Sequence, residues 1–103
     1  MNTDATTAIN YTLGSYVVVT HDINVAALSV SNLPTSGVAF LRLKLVRTTG
    51  DETMDFDTLG TTVKYVGGTA PTLTSGAGAE DFVDIWTEDA GTTWYVGAST
   101  GWS

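Results

Sequence analysis

The stretch Val38–Val46, VAFLRLKLV, alternates strictly. Ala39, Leu41, Leu43 and Leu45 fall on one side, and Phe40, Arg42 and Lys44 on the other. A period of two is the signature of a strand with one face in a core. The apolar face is expected inside. The face with Arg42 and Lys44 is expected in water or against carboxylates of a neighbouring strand. Shorter β-type runs flank it, among them SYVVVTH, NVAALSVSNL with Leu28 and Val30 on one face, and TTVKYV. YTL reads as a short β-type run ending at Gly14. TMDFDTL reads as a further strand with Met54 and Phe56 inward.

EDFVDIWTED admits a helical stripe through Phe82, Val83, Ile85 and Trp86. Its β-branched and aromatic content and the lack of an N-cap box favour a strand, with Val83 and Ile85 on one face and Phe82 and Trp86 on the other. Turn chemistry separates the runs: HDIN, LPTSG, RTTGDET, and the long GGTAPTLTSGAGAED loop. Asp89-Ala90-Gly91 reads as the turn of a hairpin into TTWYVGAS, because such residues tolerate positive φ. The pattern predicts an all-β fold: a single small antiparallel β-sandwich, jelly-roll-like, with about eight short strands. Residues 1–7 read as a loose N-terminal arm and residues 8–103 as one domain.

Composition supports this reading. The chain has 103 residues, with 19 threonines, 11 valines and 11 glycines, the types that suit pleated strands and tight turns. It has no cysteine, which excludes disulfides and thiolate metal sites, and so a small core must stand without staples. MNTDATTAINYT lacks the basic and apolar regions of a signal peptide, and runs such as YVVV are too short to span a bilayer. Four basic and eleven acidic residues give a net charge of −7. All the bases lie between Arg42 and Lys64, and five acids follow Lys64 with no base. Such a field repels phosphate backbones and anionic lipid, so neither nucleic acid nor membrane is an expected partner.

Candidate chemistry is sparse. His21 is the only histidine, at a strand end where it would cap a turn or face solvent, and a serine triad would need it. Two carboxylate groups stand out: Asp51, Glu52, Asp55 and Asp57, then Glu80, Asp81, Asp84, Glu88 and Asp89. Their spacing does not match a calcium loop, and two acids alternating on a strand share a face as on any solvated edge. Gly67-Gly68 and Gly76–Gly78 lack the Lys-Ser/Thr of a phosphate loop, so they read as loop punctuation. No cofactor and no catalytic residue is expected. The aromatic side chains remain, Tyr65, Phe82, Trp86, Trp94, Tyr95 and Trp102; exposed rings of this kind stack on sugars, although most are expected in the core. Trp94 and Tyr95 are adjacent in a strand and must face opposite ways, one inward and one outward. Trp94, Tyr95 and Trp102 are the candidate contact residues for a ligand or partner, a glycan included.

Three stretches, SNLPTSGVAFLRLKL, TTVKYVGGTAPTLTSG and TEDAGTTWYVGASTGW, together resemble a β-rich domain of tailed-bacteriophage virion proteins that carries a VKW.GGTAPTLT segment and then DGGTTWYG. The resemblance covers residues 14–102. Tyr65 stands where tryptophan is usual, Ala90 replaces the first turn glycine, and Val96 separates Tyr95 from Gly97. The resemblance implies a non-enzymatic virion structural protein on the surface of the phage particle, and it brings no catalytic residues. If the 103 residues stand alone, a small accessory protein docked on other virion proteins is expected, of the capsid decoration or head-fibre type. Self-association, as a trimer, would help the small core. The competing expectation is a receptor-binding or carbohydrate-binding module of a tail fibre.

Overall fold

The computed structural model describes residues 5–102, with the side chains of Gly101 and Trp102 left aside. It is all-β among these residues, with seven strands: β1 Thr6–Asn10, β2 Tyr16–His21, β3 Ala27–Ser31, β4 Ala39–Arg47, β5 Thr62–Tyr65, β6 Glu80–Thr87 and β7 Thr93–Trp102. Five strands form one sheet in the order β2-β4-β6-β7-β5, and β1 pairs with β3 in a second, two-stranded sheet.

β4 carries the predicted alternation without a break. Ala39, Leu41, Leu43 and Leu45 are buried, while Phe40 and Arg42 are exposed. β6 repeats it, with Asp81, Val83, Ile85 and Thr87 inward. The two strands pair antiparallel with Leu41 opposite Ile85 and Leu43 opposite Val83, which aligns their apolar sides. β7 adds Trp94 and Val96 to the same side. Ile9 of β1, Leu28 of β3, and Met54, Phe56 and Leu59 close over this inner face to form one core. The layering is sandwich-like: a large sheet, and a small sheet with an irregular segment packed on one side of it.

The sheet differs from the antiparallel expectation. β1–β3, β2–β4 and β5–β7 are parallel, and only β4–β6 and β6–β7 are antiparallel. Parallel neighbours need a crossover that leaves the sheet and returns. Here β3, in the other sheet, intervenes between β2 and β4, while the long loop after β5 carries the chain past the β7 position to β6, from which the hairpin returns it beside β5. Two short runs also differ. Tyr11–Leu13 is a single 3₁₀ turn, capped by Asn10 Oδ1, which accepts from Thr12 N at 3.1 Å. Phe56–Thr58 is another, capped by Asp55, so Met54 and Phe56 point inward without forming a strand. The N-terminal arm is shorter than expected, since Thr6 and Thr7 already belong to β1; residues 1–4 of that arm lie outside the described residues.

The hairpin turn between β6 and β7 falls where Asp89-Ala90-Gly91 places it. Ala90 has φ 59° and Gly91 φ 96°. Asp89 Oδ1 accepts from Thr93 N at 2.8 Å and from Thr87 Oγ1 at 3.0 Å, which locks the turn to both strands. Gly60 lies beneath it. A Cβ there would press on Gly91 O and lie 2.8 Å from Trp94 Cδ1, so the close approach requires glycine. Trp94 is 1% exposed, and its indole N–H has no partner among the described residues, so packing alone holds it.

Two substitutions test this arrangement in opposite directions. Trp94→Ala removes the largest core side chain and should lower stability by about 3–5 kcal/mol in urea unfolding. Ala90→Gly relieves a left-handed backbone at an exposed turn and should raise stability by about 0.5–1 kcal/mol in the same assay.

Candidate functional site

The outer side of the five-stranded sheet is covered by no strand among the described residues, and its register sorts the side chains into bands. Across the middle, Arg42 lies opposite Asp84. Its Nε donates to Oδ1 at 2.7 Å and its Nη2 to Oδ2 at 3.1 Å. Lys44 Nζ reaches Glu80 Oε2 at 3.2 Å. The carboxylates that β4 required on its polar side are therefore supplied by β6. Such solvated pairs contribute little stability, about 0–1 kcal/mol each, but they keep this face polar and in register.

Beside them runs a row of rings. Phe40 of β4 lies opposite Trp86 of β6, and Trp86 opposite Tyr95 of β7. The Phe40 and Trp86 ring centroids are 6.1 Å apart at 26°, and those of Trp86 and Tyr95 are 5.7 Å apart at 15°. Lys64 of β5, in register with Tyr95, places its Nζ 5.9 Å from the Tyr95 centroid. The row thus spans four adjacent strands. The spacings are too short for rings lying side by side in one plane, so neighbouring faces overlap in an offset stack. Among the described residues, Lys64 has no carboxylate within ion-pair distance. Tyr16 and Val38 add exposed apolar area near the Phe40 end, and Val66 adds it near Lys64.

Of the three candidate contact residues, only Tyr95 is described on this face. Trp94 is in the core and cannot touch a ligand. Trp102 belongs to β7, but its side chain lies outside the described residues. Trp86 was among the aromatic candidates read from the sequence, whereas Phe40 was not singled out, although both occupy outward positions of their strands. What joins them to Tyr95 is cross-strand register, which local periodicity does not encode.

Most carboxylates of the two groups are engaged in holding loops and strands. Glu52 closes its own turn, its Oε1 accepting from Thr49 N at 2.6 Å and Thr48 N at 3.1 Å, and its Oε2 from Gly50 N at 2.9 Å. Asp57 Oδ1 accepts from Tyr65 O–H at 2.5 Å. Asp81 is buried and accepts from Thr74 N at 2.8 Å and Thr74 Oγ1 at 2.6 Å. Among the described residues no three acidic or histidine side chains converge as metal ligands.

One polar cluster lies inside. His21 is fully buried, in contrast to the turn cap or solvent-facing residue expected, because the inward side of β2 runs Val17, Val19, His21. It pairs in register with Arg47, itself 3% exposed. His21 Nε2 lies 2.9 Å from Thr53 O and donates to it, which leaves Nδ1 without a partner among the described residues. Arg47 donates from Nη2 to Glu52 O, and the same nitrogen is 3.8 Å from Glu52 Oε2. A hollow of about 340 Å³ opens nearby, lined by Arg47, Asp51, Glu52 and Pro71 among others, but His21 does not line it. The histidine thus stands apart from the hollow, and the cluster reads as a polar clasp joining β2, β4 and the 48–53 turn.

Comparison of the chain with protein families, with curated proteins and with solved structures gives no match.

The clasp should make stability sensitive to acid in two steps. Burial lowers the His21 pKa below its ordinary 6.5, and the Arg47 guanidinium adds to this against the opposing hydrogen bond to Thr53. The unfolded chain then binds the proton more readily, so stability is full above about pH 6.5 and falls as the pH drops through that value. Burial raises the Glu52 pKa, but the hydrogen bonds from Thr49 and Gly50 outweigh it and hold the group down to about 2, from 4.5. Its contribution is present above pH 4.5 and lost between there and 2. Urea midpoints should decline from pH 7.5 to 5.5, and His21→Gln, which keeps a donor for Thr53 O, should flatten that decline while leaving the lower step in place.

Proposed function

We propose that the protein is a non-enzymatic structural module of a tailed-bacteriophage particle, docked at the particle surface on other virion proteins and using its open sheet face as an interaction surface. The observation that carries the binding half of this reading is the stacked row Phe40–Trp86–Tyr95 on an otherwise uncovered sheet. Aromatic side chains grouped on one face while the rest of the surface is acidic are typical of an interaction surface. The virion half rests on the resemblance of the GGTAPTLT and TTWY segments. Those segments form the loop before β6 and the start of β7. Accessory attachment on the capsid, as a decoration or head-fibre protein, is the placement we favour. As to the finer fold, the sandwich-like layering supports the reading, whereas a jelly-roll path would require antiparallel pairs in place of the three parallel ones.

A tail-fibre sugar-binding module is the second reading, favoured by the shallow hollow that Lys64, Trp86 and Tyr95 help to line. The stacking weighs against it. A sugar platform needs a ring face turned to solvent, and these rings direct much of their faces at one another.

Mass spectrometry and immunogold labelling of gradient-purified particles test the proposal. The chain should co-sediment with intact particles, with label over the head. Absence of the chain from purified particles would overturn the virion assignment, and label confined to the tail would overturn the capsid placement.

A further inference from the structure

The geometry points to a second copy of this chain as the occupant of the open sheet face, the two sheets packing face to face in a symmetric dimer. This inference rests on the reading of that face as a docking surface and not on its placement in a phage particle.

Charge supports it first. Arg42, Lys44 and Lys64 stand on the face with Glu80 and Asp84, so it sums to 3 − 2 = +1. The chain as a whole is −7, so the remaining residues sum to −8. The acid excess that opposes association of two copies therefore lies off this face. Two open faces meet with almost none, because four of their five charges are already paired as Arg42–Asp84 and Lys44–Glu80.

Apolar matching is the second support. A row of rings gains most from a counterface that is also apolar. Phe40 is 43% exposed and Tyr16 57%, and both stand on the outward side of this sheet. The matching surface on a second molecule is the same face. Extent is the third. Five strands at about 4.8 Å spacing, four to ten residues long at about 3.3 Å per residue, give a flat footprint of roughly 600 Å² before side-chain relief is counted. Stable interfaces cover about 600–1,000 Å² on each partner, so the face reaches the lower end of the required range. A sheet face that meets its own copy closes with two subunits, which replaces the trimer expected from size alone with a dimer.

Sedimentation equilibrium of the full chain at micromolar to millimolar concentration tests this, using the wild type, Phe40→Glu on the face, and Ile23→Glu, which is exposed in the turn after β2 and off the sheet. The wild type should weigh two chains, Phe40→Glu should dissociate at least about tenfold more readily, and Ile23→Glu should match the wild type. Far-ultraviolet dichroism checks folding, and Tyr16→Glu replaces Phe40→Glu if that variant unfolds. A trimer, or an oligomer indifferent to both face variants, would overturn the inference. A folded monomer at millimolar concentration would also overturn it. Loss of particle binding in the Phe40→Glu monomer would then show that the face docks on another protein. Oligosaccharide-induced shifts of the Tyr95 ring resonances in a monomer would assign the face to a sugar.

Discussion

The register of β4 against β6 is the constraint on which the other features of the molecule depend. Both strands alternate, and they are aligned so that Leu41, Leu43 and Leu45 share a side with Val83 and Ile85. The alignment also sets Arg42 against Asp84 and Phe40 against Trp86 on the other side. A slip of one residue would turn every leucine of β4 to water and bring Arg42 and Lys44 into the core. Neither the ion pairs nor the ring row would survive such a slip, so the core and the open face are two consequences of one pairing. The ion pairs add little energy, but they penalise the slipped register, in which both charges would be buried without partners.

β4 also accepts β2 on its other edge, in parallel, and this places the buried polar clasp. The parallel register sets His21 opposite Arg47 at the end of the sheet where the leucine ladder stops. There the core ends in a histidine that bonds the backbone of the 48–53 turn and in an arginine that meets Glu52 of that turn. Gly50, at φ 96°, lets that turn press against Gly76 of the long loop, where a side chain would collide with the Gly76 backbone. The clasp thus fixes the start of the connection that leaves β4 for β5 at the far edge of the sheet. Without it, a strand order that depends on contacts far apart in sequence would have little local support.

Much of this was legible in the sequence, and what was not has a physical reason. β4 and β6 announced themselves because each is half-buried and alternates, and the β6–β7 hairpin because its turn needs residues that accept positive φ. The burial of Trp94 or Tyr95 was readable as an alternative, and the structure selects Trp94 for the core. Strand direction was hidden, because YVVVTH reads the same beside a parallel or an antiparallel neighbour and the choice rests on contacts some twenty-five residues away. The burial of His21 carried a signal that chemistry masked: it continues the inward series Val17, Val19, but a histidine beside Asp22 looks like a turn residue. The contact row was the least legible. Phe40, Trp86 and Tyr95 come from three strands, and only the fold brings them together.

That separation bears on how the two sides of the sheet divide their work. The inner side holds the chain's only histidine, yet locks its Nε2 onto Thr53 O, outside the nearby hollow. The outer side holds three of the four basic residues, and its aromatic side chains stand where no core needs them. For a chain this small, burying Phe40 and Trp86 inward would add core, and polar residues in their place would suit a solvated face better. Rings on the wet side of a half-buried sheet add little to folding beyond their mutual stacking, about 0.5–1.5 kcal/mol per pair. Their larger contribution comes when another surface covers them. The fold therefore carries exposed aromatic area on a face whose charges are nearly balanced, while its buried polar groups are spent on holding the chain together.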